Sequence, residues 1–161
     1  MTAHRYETRD ARNAILDGWT LEIFGRVTPP LQDSLAEAEY SVRGHGLTPG
    51  PVVQAALLSS AIAVLPSRAE ALPIFLLEAM AAGAAVVATD VGAVPSVVGD
   101  SAGLLVEAGN PVLLATALTA VMTSPELRAR LGRAARERAC SAYAEPVVTA
   151  LWMKLYRSLL Q

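Results

Sequence analysis

Glu70 and Glu78 are the residues of this chain whose types and spacing could do chemistry. Glu78 is the one charged side chain between Ala71 and Ala88, in the run ALPIFLLEAMAAGAAVVA. An unpaired charge placed among apolar groups is costly, so such a carboxylate is paired, shifted in pKa or used. Glu70 stands eight residues upstream, after the apolar stretch AIAVLPS. The bland alternatives are a rim carboxylate paired with a cation such as Arg68, and a solvated loop acid. Two carboxylates could also serve a glycosidase as acid and nucleophile. A retaining pair must stand about 5–5.5 Å apart, whereas a loop glutamate and a helix glutamate at this spacing are expected farther apart and facing different parts of a ligand.

The rest of the composition narrows the field. With 53% hydrophobic and 17% charged residues, the chain is more apolar than an ordinary soluble domain, which suits strands buried on both faces. A net charge of −2 gives no nucleic-acid footprint. Cys140 is alone and the two histidines, His4 and His45, are far apart, so neither a disulfide framework nor a metal cluster is expected. The start, MTAHRYETRDAR, is too polar for a secretory signal. Residues 44–67 lack Asp, Glu, Lys and Arg but are broken by TPGP. They read as a helix and a buried strand, not a membrane span, and the expected location is cytoplasmic.

The elements that must position the glutamates follow from pattern. Strands are expected at LEIFG (21–25), YSVRG (40–44), AIAVLPS (61–67), AAVVATD (84–90) and GLLVE (103–107). Helices are expected at 30–39, 49–60, 73–82, 111–122, 125–140 and 146–160, with a turn or short helix at 94–99. Pro73 near the start and Gly83 just past the end frame the helix that carries Glu78. Strands alternating with helices predict one α/β domain, a Rossmann-like parallel sheet with helices on both faces.

In such a sheet, ligands sit outside the carboxyl ends of the strands. The strand AIAVL stops at Pro66, so Ser67, Arg68, Ala69 and Glu70 form a loop at that edge. The next helix begins near Leu72–Pro73 and directs free N–H groups into the same crevice, an arrangement suited to phosphate. Glu78, about one and a half turns on, repels anions but accepts hydrogen bonds from hydroxyls. Phosphate flanked by hydroxyls describes a sugar nucleotide.

The segment PSRAEALPIFLLEAMAAGAAVVATDVGAVPSVV (66–98) resembles the donor-binding part of family 4, or group 1, retaining glycosyltransferases of the two-domain GT-B fold. Those enzymes carry Glu-x7-Glu followed by Ala-Met-Ala-x-Gly, a Val-Val strand and a Gly-x-Pro turn. The resemblance runs on through GLLVEAGNP, PELRARLGRAARER and the last helix, covering roughly residues 20–160. It implies a domain at 19–161 preceded by a polar start and helix remnant at 1–18. It further implies that Glu70 is the catalytic-site residue, contacting donor sugar hydroxyls near the reacting carbon, and that Glu78 binds ribose hydroxyls. The amides of Ala71, Leu72 and Ile74 would cradle the diphosphate, Arg68 would stand by as a cation, and backbone around His45–Leu47 would line the base pocket. The donor would be a nucleotide-diphosphate sugar, with no obligatory metal or other cofactor.

The departures from the family pattern shape the expectation. Ala71 stands where the family usually has glycine, Gly92–Ala93 replaces a Gly-Gly turn, and Ser96 stands where a glutamate is usual. The family's first strand ending in Gly-Arg, its Lys-Gly helix start, and its N-terminal acceptor-binding domain are expected to be missing from this chain; Gly25–Arg26 stands too close to the motif. The expected partner is therefore an acceptor-binding domain on the same or a separate polypeptide. The alternative is a non-catalytic nucleotide-sugar binding module or a subunit of a split enzyme. The arginine-rich face at 128–138 reads as a solvated helix, with peripheral membrane contact as its other use. Trp152, Leu155 and Tyr156 form an apolar stripe, read as core or as a face left open for association.

Overall fold

A computed structural model of the chain describes residues 18–26, 28–36 and 41–160. The chain divides into two compact units, Met1–Val53 and Gln54–Gln161. The helix remnant expected within residues 1–18 lies outside the described residues, Gly18 excepted.

The first unit holds two parallel strands, β1 (Thr20–Phe24) and β2 (Ser41–Gly46), with helix α1 (Pro29–Ala36) between them. The ladder runs Ile23 opposite Gly44 and then Phe24 opposite Gly46. His45 is thus the extra residue of a bulge, and bulges re-aim side chains. Helix α2 (Gly50–Ser59) begins in this unit and belongs to the second from Gln54 onward. It starts on a glycine and Pro51, and Pro at the first turn sacrifices no helical N–H.

The second unit is built on a parallel sheet ordered β3 (Ile62–Leu65), β4 (Ala85–Thr89), β5 (Gly103–Val106). The central β4, read from AAVVATD, is buried at every residue. Val86 and Ala88 pack against Leu76 and Met80 of α3 (Ile74–Ala82) and Val94, Val97 and Val98 of α4 (Val94–Val98). Ala85 and Val87 meet Val121 of α5 (Pro111–Thr123) and Leu131 of α6 (Pro125–Arg138) on the other face. Burial on both faces is why this strand shows no polar alternation.

Local chemistry sets the helix ends. Asn110 and Ser124 each accept the amide three residues on, Leu113 and Leu127, and a proline follows each cap; these are ordinary N-cap devices. Helix α3 ends on Gly83 at φ 83°, where the amides of Gly83 and Ala84 reach the carbonyls of Met80 and Ala79, a Schellman closure that favours glycine. Gly132 of α6 packs on the Gly83 carbonyl with no room for a Cβ.

One expectation is corrected here. The helix expected to reach Cys140 gives way at Ala139 to a π-helical turn, Ala139–Tyr143, before α7 (Glu145–Leu159). The strands pair in parallel as expected, as a pair and a trio among the described residues.

Candidate functional site

The loop after β3 is tied down from the neighbouring strand. Thr89, the last residue of β4 and only 3% exposed, donates its hydroxyl to the carbonyl of Ser67 at 2.6 Å and lies 3.3 Å from that of Leu65. The Ser67 hydroxyl in turn donates to Oε1 of Glu70 at 2.6 Å. Gly92, in the turn after β4 with φ +53°, abuts the Glu70 carbonyl so closely that a Cβ there would overlap it. Both the side chain and the main chain of Glu70 are therefore held, the first by Ser67 and the second by the Gly92 turn.

Helix α3 opens directly into this edge. Its cap, Pro73, is extended (φ −76°, ψ 105°) and offers no side-chain acceptor. The first amides of the helix to find a backbone carbonyl are those of Leu76 and Leu77, both on Pro73. The amides of Ile74 and Phe75 belong to the first turn, which helix geometry leaves without internal partners. Ala71, Leu72 and Ile74 are exposed while Pro73 is buried. An exposed first turn beside two carboxylates can take an anion on its amides and hydroxyls on its acids.

Glu78 is half-buried, and its backbone is fixed between the buried residues Leu76, Ala79 and Met80. Its Oε1 accepts the side-chain amide of Gln54 at 3.0 Å. The considered alternative, pairing with Arg68, is not what holds it; among the described residues neither Glu70 nor Glu78 has a cation within ion-pair distance. Arg68 is exposed on the same loop. No cluster of His, Cys, Asp and Glu among the described residues could hold a metal ion.

His45 and Leu47 belong to the first unit. His45 follows Arg43 by two residues and Phe24 follows Glu22 by two, so strand alternation puts them on one face of β1 and β2. Its ring stacks on Phe24 with centroids 4.5 Å apart and planes 6° from parallel, and Nε2 lies 3.9 Å from a Glu22 carboxylate oxygen that is also 3.7 Å from Arg43. Leu47, just beyond β2, is exposed.

Gln54, Ser67, Thr89 and Gly92 were not among the expected site residues. The PS and VVATDVG context hinted at the last three; nothing in the pattern of an apolar helix singles out Gln54. The arginine-rich helix also needs correction, since it is not merely solvated. Arg128 donates to the carbonyls of Val121 and Met122, Arg136 to Ala81, and Arg138 to Ser96 and Val97. Each arginine satisfies the carboxyl end of a different helix, α5, α3 and α4. A cleft of about 270 Å³ on α6, lined by Arg133, Arg136, Glu137 and Cys140, contains none of the loop residues. No helix among the described residues is long and apolar enough to cross a membrane.

Known proteins resemble this chain in sequence and in fold. The family model described as glycosyl transferases group 1 matches residues 17–138. An alpha-maltose-1-phosphate synthase of Mycobacterium tuberculosis is 36% identical over 108 residues, 63% of this chain and 28% of that protein. The chain thus spans well under half the length of the curated relatives it matches. The C-terminal domain of a group 1 family glycosyl transferase from Francisella tularensis superposes with a TM-score of 0.72 at 24% identity, over 84% of this chain and 76% of that one. An Anabaena protein crystallised with UDP and glucose superposes with a TM-score of 0.70 at 20% identity, over 87% of this chain and 40% of that one. The two superpositions establish a shared fold: an α/β unit like the C-terminal half of a GT-B protein.

Proposed function

Since the chain belongs to the glycosyl transferases group 1 family, whose model its residues 17–138 match, we propose that it is the donor-binding half of a retaining glycosyltransferase. Its ligand is a nucleotide-diphosphate sugar. The observation that carries this reading is the loop–helix junction after β3, where a fixed glutamate, an open helix start and a second glutamate follow in turn. The UDP and glucose bound by the Anabaena protein of the same fold support the ligand class.

Each residue has a distinct task in this reading. The Glu70 carboxylate accepts hydroxyls of the transferred hexose beside the reacting carbon, with its rotamer held by Ser67. The amides of Ala71, Leu72 and Ile74 take the diphosphate, and Arg68 adds positive charge from the exposed loop. As the glycosidic bond breaks, negative charge grows on the diphosphate. Donors that already point there stabilise it without reorganisation, and the helix dipole has the favourable sign. This chemistry requires no obligatory metal. Glu78 accepts the ribose hydroxyls.

In this reading the acceptor is held by a separate domain, and a chain that spans only 28% of the length of the maltose-1-phosphate synthase it matches is compatible with that. That domain is either part of the same polypeptide or a second subunit, and the chain by itself binds donor without completing transfer. The working location is the cytoplasm, where nucleotide sugars serve as donors. Titration calorimetry of the chain with UDP-, GDP- and ADP-sugars tests the reading. One of them binds, and Glu78→Ala weakens it; equal affinity in the variant would remove the ribose role, and no binding by any donor would remove the site.

A further inference from the structure

We propose that Gln54 is a positioning residue for Glu78: its side-chain amide sets the plane of the carboxylate so that the free acceptor positions meet a vicinal diol. The inference rests on the reading of Glu78 as the ribose ligand. A carboxylate carries only acceptors, so the contact at 3.0 Å is Nε2 of Gln54 donating to Oε1. The two residues come from different helices, α2 and α3, and are 24 positions apart.

Both backbones are anchored. Leu57, one turn after Gln54, is buried, and the Ser60 amide and hydroxyl close that end of α2 on the carbonyls of Leu57 and Ala56. Glu78 is followed by Ala79 and Met80, both fully buried. The terminal torsion of a glutamate carboxylate is intrinsically broad. A single donor on Oε1 fixes it, and leaves both lone pairs of Oε2 and one of Oε1 for incoming hydroxyls.

The chemistry of the donor matters. A guanidinium or ammonium in place of Gln54 would also orient Glu78, but it would neutralise the charge that makes the carboxylate a strong acceptor. A neutral amide orients without neutralising. A diol brings two O–H donors and no charge, so it gains most from an acceptor that is both oriented and still anionic.

The experiment is calorimetric titration of the full chain with UDP, GDP and ADP, then with the 2′,3′-dideoxy form of the tightest binder. Gln54→Leu is expected to weaken the natural nucleotide by about three- to tenfold and to leave the dideoxy form and the melting temperature unchanged. Gln54→Glu, which sets a second anion against Glu78, weakens the natural nucleotide further. An equal loss for both nucleotides, or no loss for either, overturns the positioning role. Glu78→Ala serves as the independent control. If it fails to discriminate the two nucleotides, the ribose reading itself is wrong, and Gln54 loses its role with it.

Discussion

Gly92 sits against the carbonyl oxygen of Glu70 with no space between them for a Cβ. The turn that follows the central strand and the loop that follows β3 thus meet at the backbone of one candidate site residue. Gly92 also adopts φ +53°, a region that L side chains rarely enter. Gly92→Ala must therefore move the Glu70 main chain, the turn or both. The expected cost is about 1–3 kcal/mol of stability. Donor affinity should fall by more than the fold destabilisation explains, since Glu70 leads directly into the amides at Ala71 and Leu72. Thermal melting paired with donor titration separates the two effects. An alanine variant with wild-type melting and wild-type binding would show that the contact is absent in solution.

Ser67 acts on the same glutamate from the side-chain end. Removing its hydroxyl leaves the backbone contacts of Thr89 and Gly92 intact. Ser67→Ala should cost about 1 kcal/mol of stability or less. Its signature is selective: affinity for the nucleotide diphosphate stays, while the extra affinity contributed by the attached sugar falls. Comparing UDP with a UDP-hexose on wild type and variant reads this difference directly. A uniform loss for both ligands would mean that Ser67 supports the whole loop and not the Glu70 carboxylate.

Much of this arrangement was legible because burial writes itself into composition. AAVVATD is apolar at successive positions since both faces of β4 are covered. Pro73 and Gly83 bracket α3 for the local reasons that prolines start helices and glycines end them. The position of Glu70 in the loop after β3 and of Glu78 within α3 followed from those two elements. Gln54 did not follow, because a lone polar residue on an apolar helix carries no periodic signal and its partner is remote in sequence. The reach of Arg128, Arg136 and Arg138 was hidden for a related reason. Charge pattern shows which face of α6 is polar, but a long stem lets the guanidinium find carbonyls on other helices. The split of strands into a pair and a trio depends on which edges hydrogen-bond, and strand composition does not encode that.

Arg138 is the best tested of those three capping arginines. Its Nε and Nη2 donate to Val97 and Ser96 at 2.6 and 2.7 Å, and the guanidinium lies over Gly99, the glycine that ends α4. Helix α4 has five residues, so these carbonyls are a large share of its orphan acceptors. Arg138→Ala should cost about 1.5–3 kcal/mol, the range for hydrogen bonds to a charged donor. Arg133→Ala, on the exposed side of the same helix, should stay within about 0.5 kcal/mol. Urea unfolding of the two variants side by side makes the comparison. Equal and small effects would show that the arginines of α6 are only a solvated face.

Helix α7 gives the opposite expectation. Its residues Leu151, Trp152, Leu155, Tyr156 and Leu159 are all exposed, and none of the described α7 residues is buried. Trp152 and Tyr156 touch each other, with ring centroids 5.9 Å apart, a spacing worth about 0.2–0.5 kcal/mol on a helix surface. Trp152 and Leu155 stay about half open to water, at 53% and 47% exposure, so they contribute less transfer energy on folding than buried side chains do. Trp152→Gln combined with Leu155→Gln keeps good helix formers at both sites. The double variant should therefore change stability by no more than about 0.5 kcal/mol per site. Urea unfolding at low protein concentration measures this, and sedimentation at rising concentration shows whether the wild-type face is covered. A loss of more than about 2 kcal/mol would be the cost of uncovering core residues, and would mean that α7 is packed against a surface in solution.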